Sequence, residues 1–485
     1  MVEDREVEDR EVDDRGGLEL DPDRMRELGH LVVDRLVDHW ATLRDQPAGR
    51  RTGREELERL LWEPPPEDGR DPEQVIRRVE SDVLGHMGRV HHPRFFAFVP
   101  GPGNWIGILG DLLATGANVF AGTWFEASGP AMVEIVTLDW LRRWCGLPDG
   151  AGGIFVSGGS MANLTALAVA RRVALEDRIA GAVAYCSDQT HSAVDRAFAV
   201  LGFGPDQVRR LHSDDDYRLS IPSLREAIAS DRAAGRRPFC VVANAGTTNT
   251  GAVDPLVELA DVCEAEGLWM HADAAYGGAA VLCERGRREL PGLERSDSLA
   301  LDPHKWLFQP FEIGCVLVRD RQWLPTTFHV LPDYLRDVET RRGEVNFADY
   351  GIQLTRGFRA LKLWMSIQVF GVAAFRRAVE RGFENAERAE TLLRDAGVWR
   401  IVTPARMGVV TFTWSRGGVP DAVAREVTLG LVEAALQDGT TLVSSTTLRG
   451  EPVIRICAVN PRTTREDLEM SVKRLGELAE GLRRG

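Results

Sequence analysis

Residues 298–306 read Ser-Leu-Ala-Leu-Asp-Pro-His-Lys-Trp, in which a short apolar run is followed by Asp302 and then by Lys305. Five more short apolar runs occur along the chain, and stretches with helical spacing join them. This alternation is typical of a mostly parallel sheet covered on both faces, where ligands bind at the carboxyl ends of strands. The sequence therefore predicts an α/β fold with a ligand site beside Lys305. The other runs are Gly153–Val156, Ala182–Cys186, Phe239–Ala243, Leu268–Asp273 and Cys315–Arg319.

The composition is that of a soluble globular protein large enough for two or three domains. The 485 residues are 44% hydrophobic and 27% charged, and 73 acidic against 59 basic residues give a net charge of −14. A negative surface argues against nucleic acid or an anionic membrane as partner, because both favour a basic face. No apolar run approaches the roughly 20 residues of a membrane span.

The 7 cysteines are odd in number and scattered, without a Cys-x-x-Cys pair. This spacing argues against a disulfide framework and a structural zinc site, so we predict no metal and a reducing, cytoplasmic location. The amino terminus also lacks the basic-then-apolar pattern of a secretory signal.

Changes of composition divide the chain into four predicted segments. Residues 1–15 form an acidic repeat with little to bury, so we expect a disordered leader. Residues 16–100 carry two helical patterns that are too few to form a core alone. Residues 101–367 are predicted to form the large α/β domain, and residues 368–485 a smaller α+β domain.

Lysine is rare in this chain. Lys305, Lys362 and Lys473 are the only lysines, and arginine supplies the rest of the basic residues. Lysine can lose its proton and become an amine nucleophile, whereas arginine cannot. Lys362 and Lys473 lie in helical patterns and are predicted to be surface residues. Lys305 is crowded by proline, histidine and tryptophan, so we expect desolvation to lower its pKa.

Residues 155–163 (Phe-Val-Ser-Gly-Gly-Ser-Met-Ala-Asn) read as a strand, a glycine turn and a helix start. Glycines there let backbone N–H groups converge on an anion, and the helix dipole adds positive potential, so the stretch suits a phosphate. A simple turn explains the same residues, and the spacing matches neither a Walker loop nor a dinucleotide motif.

Asp273 ends the apolar run of residues 268–273, where a carboxylate needs a partner. It could cap a helix or pair with a cationic ring nitrogen. Small residues around Tyr276 would let a flat ligand approach the backbone, which the capping role does not require.

His191, His304 and the segment Ala243–Thr250 also follow predicted strands. His191 could simply be a satisfied histidine at a strand end. Together with the phosphate turn, Asp273 and Lys305, however, these groups are the parts that a pyridoxal phosphate site requires.

Three motifs carry a resemblance to a known family. Residues 187–197 (SDQTHSAVDRA), 271–278 (HADAAYGG) and 302–306 (DPHKW) resemble the group II pyridoxal-phosphate amino acid decarboxylases, most closely the aromatic-L-amino-acid decarboxylase family. The likeness runs from about residue 20 to the end and includes HPRFFAFVP, FRALKLW and IRICAVN.

The resemblance implies a fold-type-I enzyme with a mostly parallel seven-stranded sheet, and a homodimer clasped by the amino-terminal helices. It implies that Lys305 binds the cofactor as an imine, that Asp273 pairs with the pyridine nitrogen, and that His191 stacks on the ring. The remaining cofactor contacts that it implies are Ser160, Met161 and Ala162 at the phosphate, Thr248 and Ala275 along the ring, and His304 near the phosphate or imine.

Three residues depart from the family pattern. Asp302, which is also an implied cofactor contact, stands where asparagine is common and adds negative charge near the phosphate. Gly101 stands in the substrate wall where threonine is common. Phe347 aligns with the mobile-loop tyrosine that donates a proton in the family's decarboxylases. Tyr350 and His191 are alternative donors.

The sequence thus predicts pyridoxal-phosphate-dependent removal of the α-carboxylate of an amino acid, with an aromatic substrate as the preferred class. An aldehyde synthase, an aminotransferase and a non-catalytic pyridoxal-phosphate-binding protein remain alternatives. The predicted substrate wall, whose members could also be core residues, consists of Phe95, Phe98, Gly101 and Trp105.

Overall fold

The computed structural model describes residues 18–330, 341 and 343–484. It contains two compact units, Met1–Gly88, described from residue 18, and Arg89–Gly485. The acidic leader predicted for residues 1–15 lies outside the described residues. The four predicted segment boundaries stay predictions.

The first unit is helical. Its helices are α1 (Pro22–Ala41), α2 (Arg54–Leu61) and α3 (Pro72–Arg78). Asp21 begins α1, because its carboxylate accepts the N–H groups of Asp23 and Arg24 and Pro22 fits the first turn.

The second unit contains a seven-stranded sheet in the order β1-β7-β6-β5-β4-β2-β3. Strand β7 is antiparallel to both its neighbours, and the remaining pairs are parallel. This arrangement confirms the predicted fold class. The strands are β1 (Gly152–Val156), β2 (Ala182–Ser187), β3 (Val208–Leu211), β4 (Arg237–Asn244), β5 (Trp269–Asp273), β6 (Ser298–Leu301) and β7 (Gly314–Val318).

The sequence did not reveal β3, because this edge strand carries Arg209 and Arg210 rather than a buried apolar run. The other six predicted runs are strands. The helices before, between and after these strands are α4 (Trp105–Gly116), α5 (Trp124–Trp144), α6 (Gly159–Leu175), α7 (Ser192–Val200), α8 (Ile221–Ala233), α9 (Leu256–Glu266), α10 (Glu284–Glu289) and α11 (Trp323–Phe328).

A four-stranded antiparallel sheet, ordered β10-β11-β9-β8, forms a second core with its helices. Helix α12 (Ala360–Asp395) leads into it and is kinked at Gly371, whose φ is 71°. The other elements are β8 (Trp399–Arg406), β9 (Val409–Trp414), α13 (Asp421–Asp438), β10 (Ser444–Leu448), β11 (Glu451–Cys457) and α14 (Arg465–Arg484). No helix among the described residues is long and apolar enough to cross a membrane.

Lys362 is not the surface residue that the helical pattern predicted. Its side chain is buried, and its ammonium forms a 2.8 Å salt bridge with Asp111 and donates to the carbonyl of Pro310. Lys473 is exposed, as predicted.

A fully buried ion pair connects the segment before α12 with β1. Arg356 donates to Glu134 at 2.7 Å and to the carbonyl of Phe155 at 2.8 Å, while Glu134 accepts the N–H of Phe155. The Arg356 guanidinium also lies 5.1 Å from the ring centroid of Phe347. Because neither charge has access to water, each needs the other as its counter-charge to be stable in the core.

We expect Arg356→Met to lower the free energy of unfolding by about 3–5 kcal/mol, because Glu134 then keeps a buried charge without its partner. Urea unfolding followed by tryptophan fluorescence measures this change. Arg394→Met is the matched control. It removes an exposed guanidinium from α12, and Glu390, its partly buried partner, keeps the N–H of Ala405, so the variant should cost less than about 1 kcal/mol. Equal losses of stability in the two variants would show that the buried Arg356–Glu134 pair contributes no more than the control pair.

Candidate active site

The carboxyl ends of β1, β2, β4, β5 and β6 meet at one edge of the large sheet, because these strands run in the same direction. A cavity of about 350 Å³ opens there. This volume lies in the usual range of small-molecule sites, roughly 300–1,000 Å³. The predicted site residues that line it are Ser160, Met161, His191, Thr248, Asp273, Ala275, Asp302, His304 and Lys305.

Lys305 lies in the turn after β6 and forms a salt bridge with Asp302, with 2.9 Å between Nζ and Oδ2. Burial acts to lower the pKa of Lys305, but the Asp302 carboxylate outweighs it, so the pKa lies above its usual value. The predicted lowering of this pKa is therefore wrong. The sequence showed the crowding of Lys305, but whether its pKa rises or falls depends on the position of the Asp302 carboxylate in the folded chain.

Helix α6 begins at Gly159, directly above this ion pair. A Cβ atom at Gly159 would lie 2.8 Å from Asp302 Oδ2, and one at Gly158 would lie 3.1 Å from His304 Cε1. The turn therefore has room for backbone alone, and its first N–H groups remain open to an anion. This geometry fits the phosphate of the predicted cofactor.

Ala162 does not take part in the phosphate turn as predicted. It is fully buried, and its N–H is donated to the carbonyl of Gly158 at 2.9 Å. Its amide hydrogen therefore closes the first turn of α6 and is not free for a phosphate. Ser160 and Met161, one and two residues earlier, do line the cavity.

Asp273 lies at the end of β5 on the cavity floor. Its Oδ1 accepts the N–H of Ala275 at 3.2 Å, and its Oδ2 accepts Nδ2 of Asn163 at 3.1 Å. The first bond is a local turn contact of the kind that the capping alternative allows. The second bond and the position in the cavity favour the alternative in which the carboxylate faces a cationic ring.

A chain of buried hydrogen bonds continues behind Asp273. His271 Nε2 lies 2.7 Å from Asn163 Oδ1, and His271 Nδ1 lies 2.9 Å from Ser298 Oγ, which also accepts Trp269 Nε1–H at 2.9 Å. Because Asn163 donates to a carboxylate, its oxygen must accept, so the proton of His271 is on Nε2. Burial lowers the pKa of His271 to about 4, which keeps the ring neutral.

Sequence reasoning did not assign roles to Asn163 and His271. His271 stands two residues before Asp273 on β5, and alternate residues of a strand share a face. That spacing was the available signal for His271. Asn163 lies 110 residues from Asp273, so only the folded chain brings it within reach.

His191 and His304 lie on the cavity wall, and both are neutral at physiological pH. His191 Nδ1 accepts the N–H of Ala193 at the start of α7, and burial lowers the pKa of the ring. His304 Nδ1 accepts the N–H of Ile313, and burial lowers its pKa too. Thr248 and Ala275 line the same cavity, together with Asn244, Thr247 and Tyr276, which the sequence analysis did not assign.

Phe347 and Tyr350 do not line this cavity. Phe347 is only 2% exposed, and its ring packs edge-on against Tyr350 with 5.6 Å between centroids. The described residues of one chain therefore place the aligned position in the core beside Arg356. Their catalytic roles stay predictions.

The predicted substrate wall is likewise outside the cavity lining. Phe95 is a buried core residue, in keeping with the alternative that the sequence left open, whereas Phe98 is exposed. Trp105 begins α4. Gly101 packs against the lysine-bearing turn, because a Cβ there would lie 2.7 Å from the carbonyl oxygen of His304. Threonine would not fit at this position without moving that turn.

The seven-stranded sheet, the small antiparallel domain and a cavity that joins a lysine, a carboxylate and a glycine turn define a pyridoxal-phosphate enzyme of fold type I. A family model described as "Pyridoxal-dependent decarboxylase conserved domain" matches residues 55–415. The chain belongs to this family and is a pyridoxal-phosphate-dependent decarboxylase, a carboxy-lyase.

Individual relatives agree with this family. The chain is 46% identical to an aromatic-L-amino-acid decarboxylase of Bacillus atrophaeus, over 96% of this chain and 97% of that protein. It is 31% identical to a phenylacetaldehyde synthase of Arabidopsis thaliana, over 92% of this chain and 94% of that protein. The crystal structure of Oryza sativa TDC with PLP and tryptamine superposes with a TM-score of 0.90 at 29% identity, covering 95% of this chain and 99% of that one.

We expect borohydride reduction of the cofactor-loaded protein to fix the cofactor to Lys305, because this is the lysine that lines the cavity. Peptide mass spectrometry locates the label. Lys305→Arg should abolish turnover, since a guanidinium does not react as an amine at neutral pH. A label on Lys362 or Lys473 would overturn the site.

Asp273→Asn keeps the shape of the side chain but removes its charge. We expect kcat to fall by at least ~100-fold, which is about 2.7 kcal/mol of activation free energy. As a control, the visible absorbance of the bound cofactor shows whether the variant still binds it. Activity within a few-fold of wild type would make Asp273 a structural cap only.

Proposed function

We propose that this enzyme removes the α-carboxylate of an aromatic L-amino acid and releases CO2 and the corresponding amine. The observation that carries the proposal is the convergence of Lys305, Asp273 and the α6 turn on one cavity. The aromatic preference is supported by the relative from Bacillus atrophaeus, whose name specifies aromatic amino acids and which aligns over nearly the whole chain.

Each group in the cavity has a role in this proposal. The bound cofactor supplies an electron sink for the electron pair that CO2 leaves behind. Lys305 would hold the cofactor covalently, and the backbone N–H groups at the start of α6 would bind its phosphate. Asp273 would keep the ring nitrogen protonated, and His191 would contact the ring from the cavity wall.

The proposed enzyme is a homodimer in the cytoplasm. Large apolar side chains stay exposed on the second unit, among them Leu112 and Leu113 on α4 and Phe125 on α5, which is 76% exposed. A contiguous exposed apolar patch commonly marks a protein interface, and these side chains are the candidates for such a patch. All 7 cysteines are free and buried, which is compatible with a reducing compartment. The amino-terminal helices would clasp the partner subunit.

Aldehyde formation is the second candidate function, and Phe347 is the observation that favours it. A phenylalanine has no hydroxyl proton to give, so a carbanionic intermediate would live longer and could react with O2. The phenylacetaldehyde synthase of Arabidopsis thaliana is a relative over most of the chain. An aminotransferase and a non-catalytic binding protein have no comparable support.

We expect the wild-type enzyme to release CO2 and amine in equal amounts from tryptophan, tyrosine, phenylalanine or DOPA, and little from glutamate or alanine. Chromatography for amine and aldehyde, with assays for CO2, ammonia and peroxide, measures the outcome. Aldehyde, ammonia and peroxide as main products, shifted toward amine by Phe347→Tyr, would favour the second candidate. Tyr350→Phe is the matched control, and loss of amine only in that variant would make Tyr350 the proton donor.

A further inference from the structure

The salt bridge between Lys305 and Asp302 is the shortest ionic contact on the cavity floor. The Nζ–Oδ2 distance is 2.9 Å, and the Asp302 side chain is only 1% exposed. The other carboxylate oxygen, Oδ1, is buried without a hydrogen-bond partner among the described residues. A buried carboxylate is costly without a counter-charge, so Asp302 stabilises the protonated, cationic form of Lys305 beside it.

The remaining titratable groups around Lys305 contribute less, and the Asp273 carboxylate, which also acts to raise the pKa of Lys305, does so more weakly than Asp302. Asp273 lies farther along the floor and already accepts two hydrogen bonds. His191 and His304 are neutral because burial lowers their pKa values. Burial raises the pKa of the Cys457 thiol to about 11, so this group is neutral as well.

We propose that the Lys305–Asp302 pair supplies the proton that the substrate carbon needs after CO2 has left, so that Asp302 takes part in the reaction by keeping Lys305 an ammonium. The proposal rests on the proposed decarboxylase function. In the family's decarboxylases this proton comes from a loop tyrosine hydroxyl, which Phe347 lacks. The proposal assigns the proton transfer to a group in the cavity instead.

The protons balance in this scheme. The amino acid arrives as an ammonium and gives up one proton when it reacts as an amine, and the released Lys305 amine takes one up beside Asp302. Lys305 Nζ then donates that proton to the α-carbon, where it forms a C–H bond with the electron pair left by CO2. Lys305 is again a neutral amine that can displace the product, and the product amine takes its own proton from water.

The alternative donors are less suited. Phe347 and Tyr350 lie outside the cavity lining of the described residues. His191 lines the cavity, but its Nδ1 is an acceptor for Ala193 N–H and the ring is neutral, so it is a weaker acid than an ammonium. Lys305 is the lining group that both carries a proton and has a buried counter-charge beside it.

Asp302→Asn tests the proposal, because it keeps the side-chain shape and removes the charge. We expect kcat for amine formation to fall by at least ~10-fold and the alkaline limb of the pH profile to move down by about one unit or more, since less Lys305 is protonated. Part of the product should shift to aldehyde. Asp188→Asn, which removes an exposed carboxylate outside the cavity lining, is the control for lost charge.

A second measurement does not depend on turnover. Pyridoxal reacts with the neutral amine of Lys305 in the cofactor-free protein, so the visible absorbance of the adduct follows deprotonation of this lysine. We expect the pH midpoint of this reaction to fall by about one unit or more in Asp302→Asn and to stay unchanged in Asp188→Asn. If Asp302→Asn does not fold, the wild-type protein still tests the proposal. A pH midpoint of its reaction with pyridoxal at or above the usual lysine pKa of about 10.4 would support the claim that Asp302 keeps Lys305 protonated.

The outcomes separate the two proposals. An unchanged pyridoxal midpoint in Asp302→Asn, or a wild-type midpoint well below the usual lysine value, would show that Asp302 does not hold the proton. A shifted midpoint with an unchanged pH profile and unchanged products would show that the proton comes from another group. Absence of CO2 release from every amino acid in wild type, with a normal pyridoxal titration, would defeat the proposed function instead.

Discussion

Two carboxylates are buried in one small cavity, and the need to give each of them a partner shapes this protein. Burying an unpaired charge is costly, so Asp273 and Asp302 persist only because the fold places a donor or a cation beside each. Asn163 reaches Asp273 from α6, and Lys305 reaches Asp302 within the turn after β6. The parallel sheet makes this possible, since the strand ends that carry these residues lie side by side.

The two carboxylates are held in different ways, and the roles proposed for them depend on this difference. Behind Asp273, the neutral side chains of Asn163 and His271 form hydrogen bonds whose direction is fixed, so the carboxylate remains an acceptor facing the cavity. Asp302 instead faces a cation, and its other oxygen has no hydrogen-bond partner within the part of the chain that the structure describes. One carboxylate is therefore suited to hold a charge on a ring, and the other to hold a proton on an amine.

Close approach of backbone segments is the second requirement of the site. Gly158 and Gly159 leave room for the side chains of His304 and Asp302, and Gly101 lies against the carbonyl of His304. Side chains at these positions would push the α6 turn away from Lys305. The ion pair of Arg356 with Glu134 holds β1 from the other side through Phe155, and it also packs against Phe347. The residue aligned with a proton donor is thus tied into the core.

The sequence by itself determined the α/β class and six of the seven strands of the large sheet, because apolar periodicity is a local property. It also singled out Lys305, Asp273 and His191 by their residue chemistry, and these three residues line one cavity. It also indicated the phosphate turn, but it did not show which backbone N–H groups of that turn are free to bind a phosphate. Only the tertiary structure decided that the pKa of Lys305 is raised rather than lowered, that Asn163 and His271 order Asp273, that Lys362 is buried and that Phe347 lies in the core. These features depend on distances between residues that are far apart in the chain or on the direction in which a side chain points, and neither is encoded in the spacing of residue types.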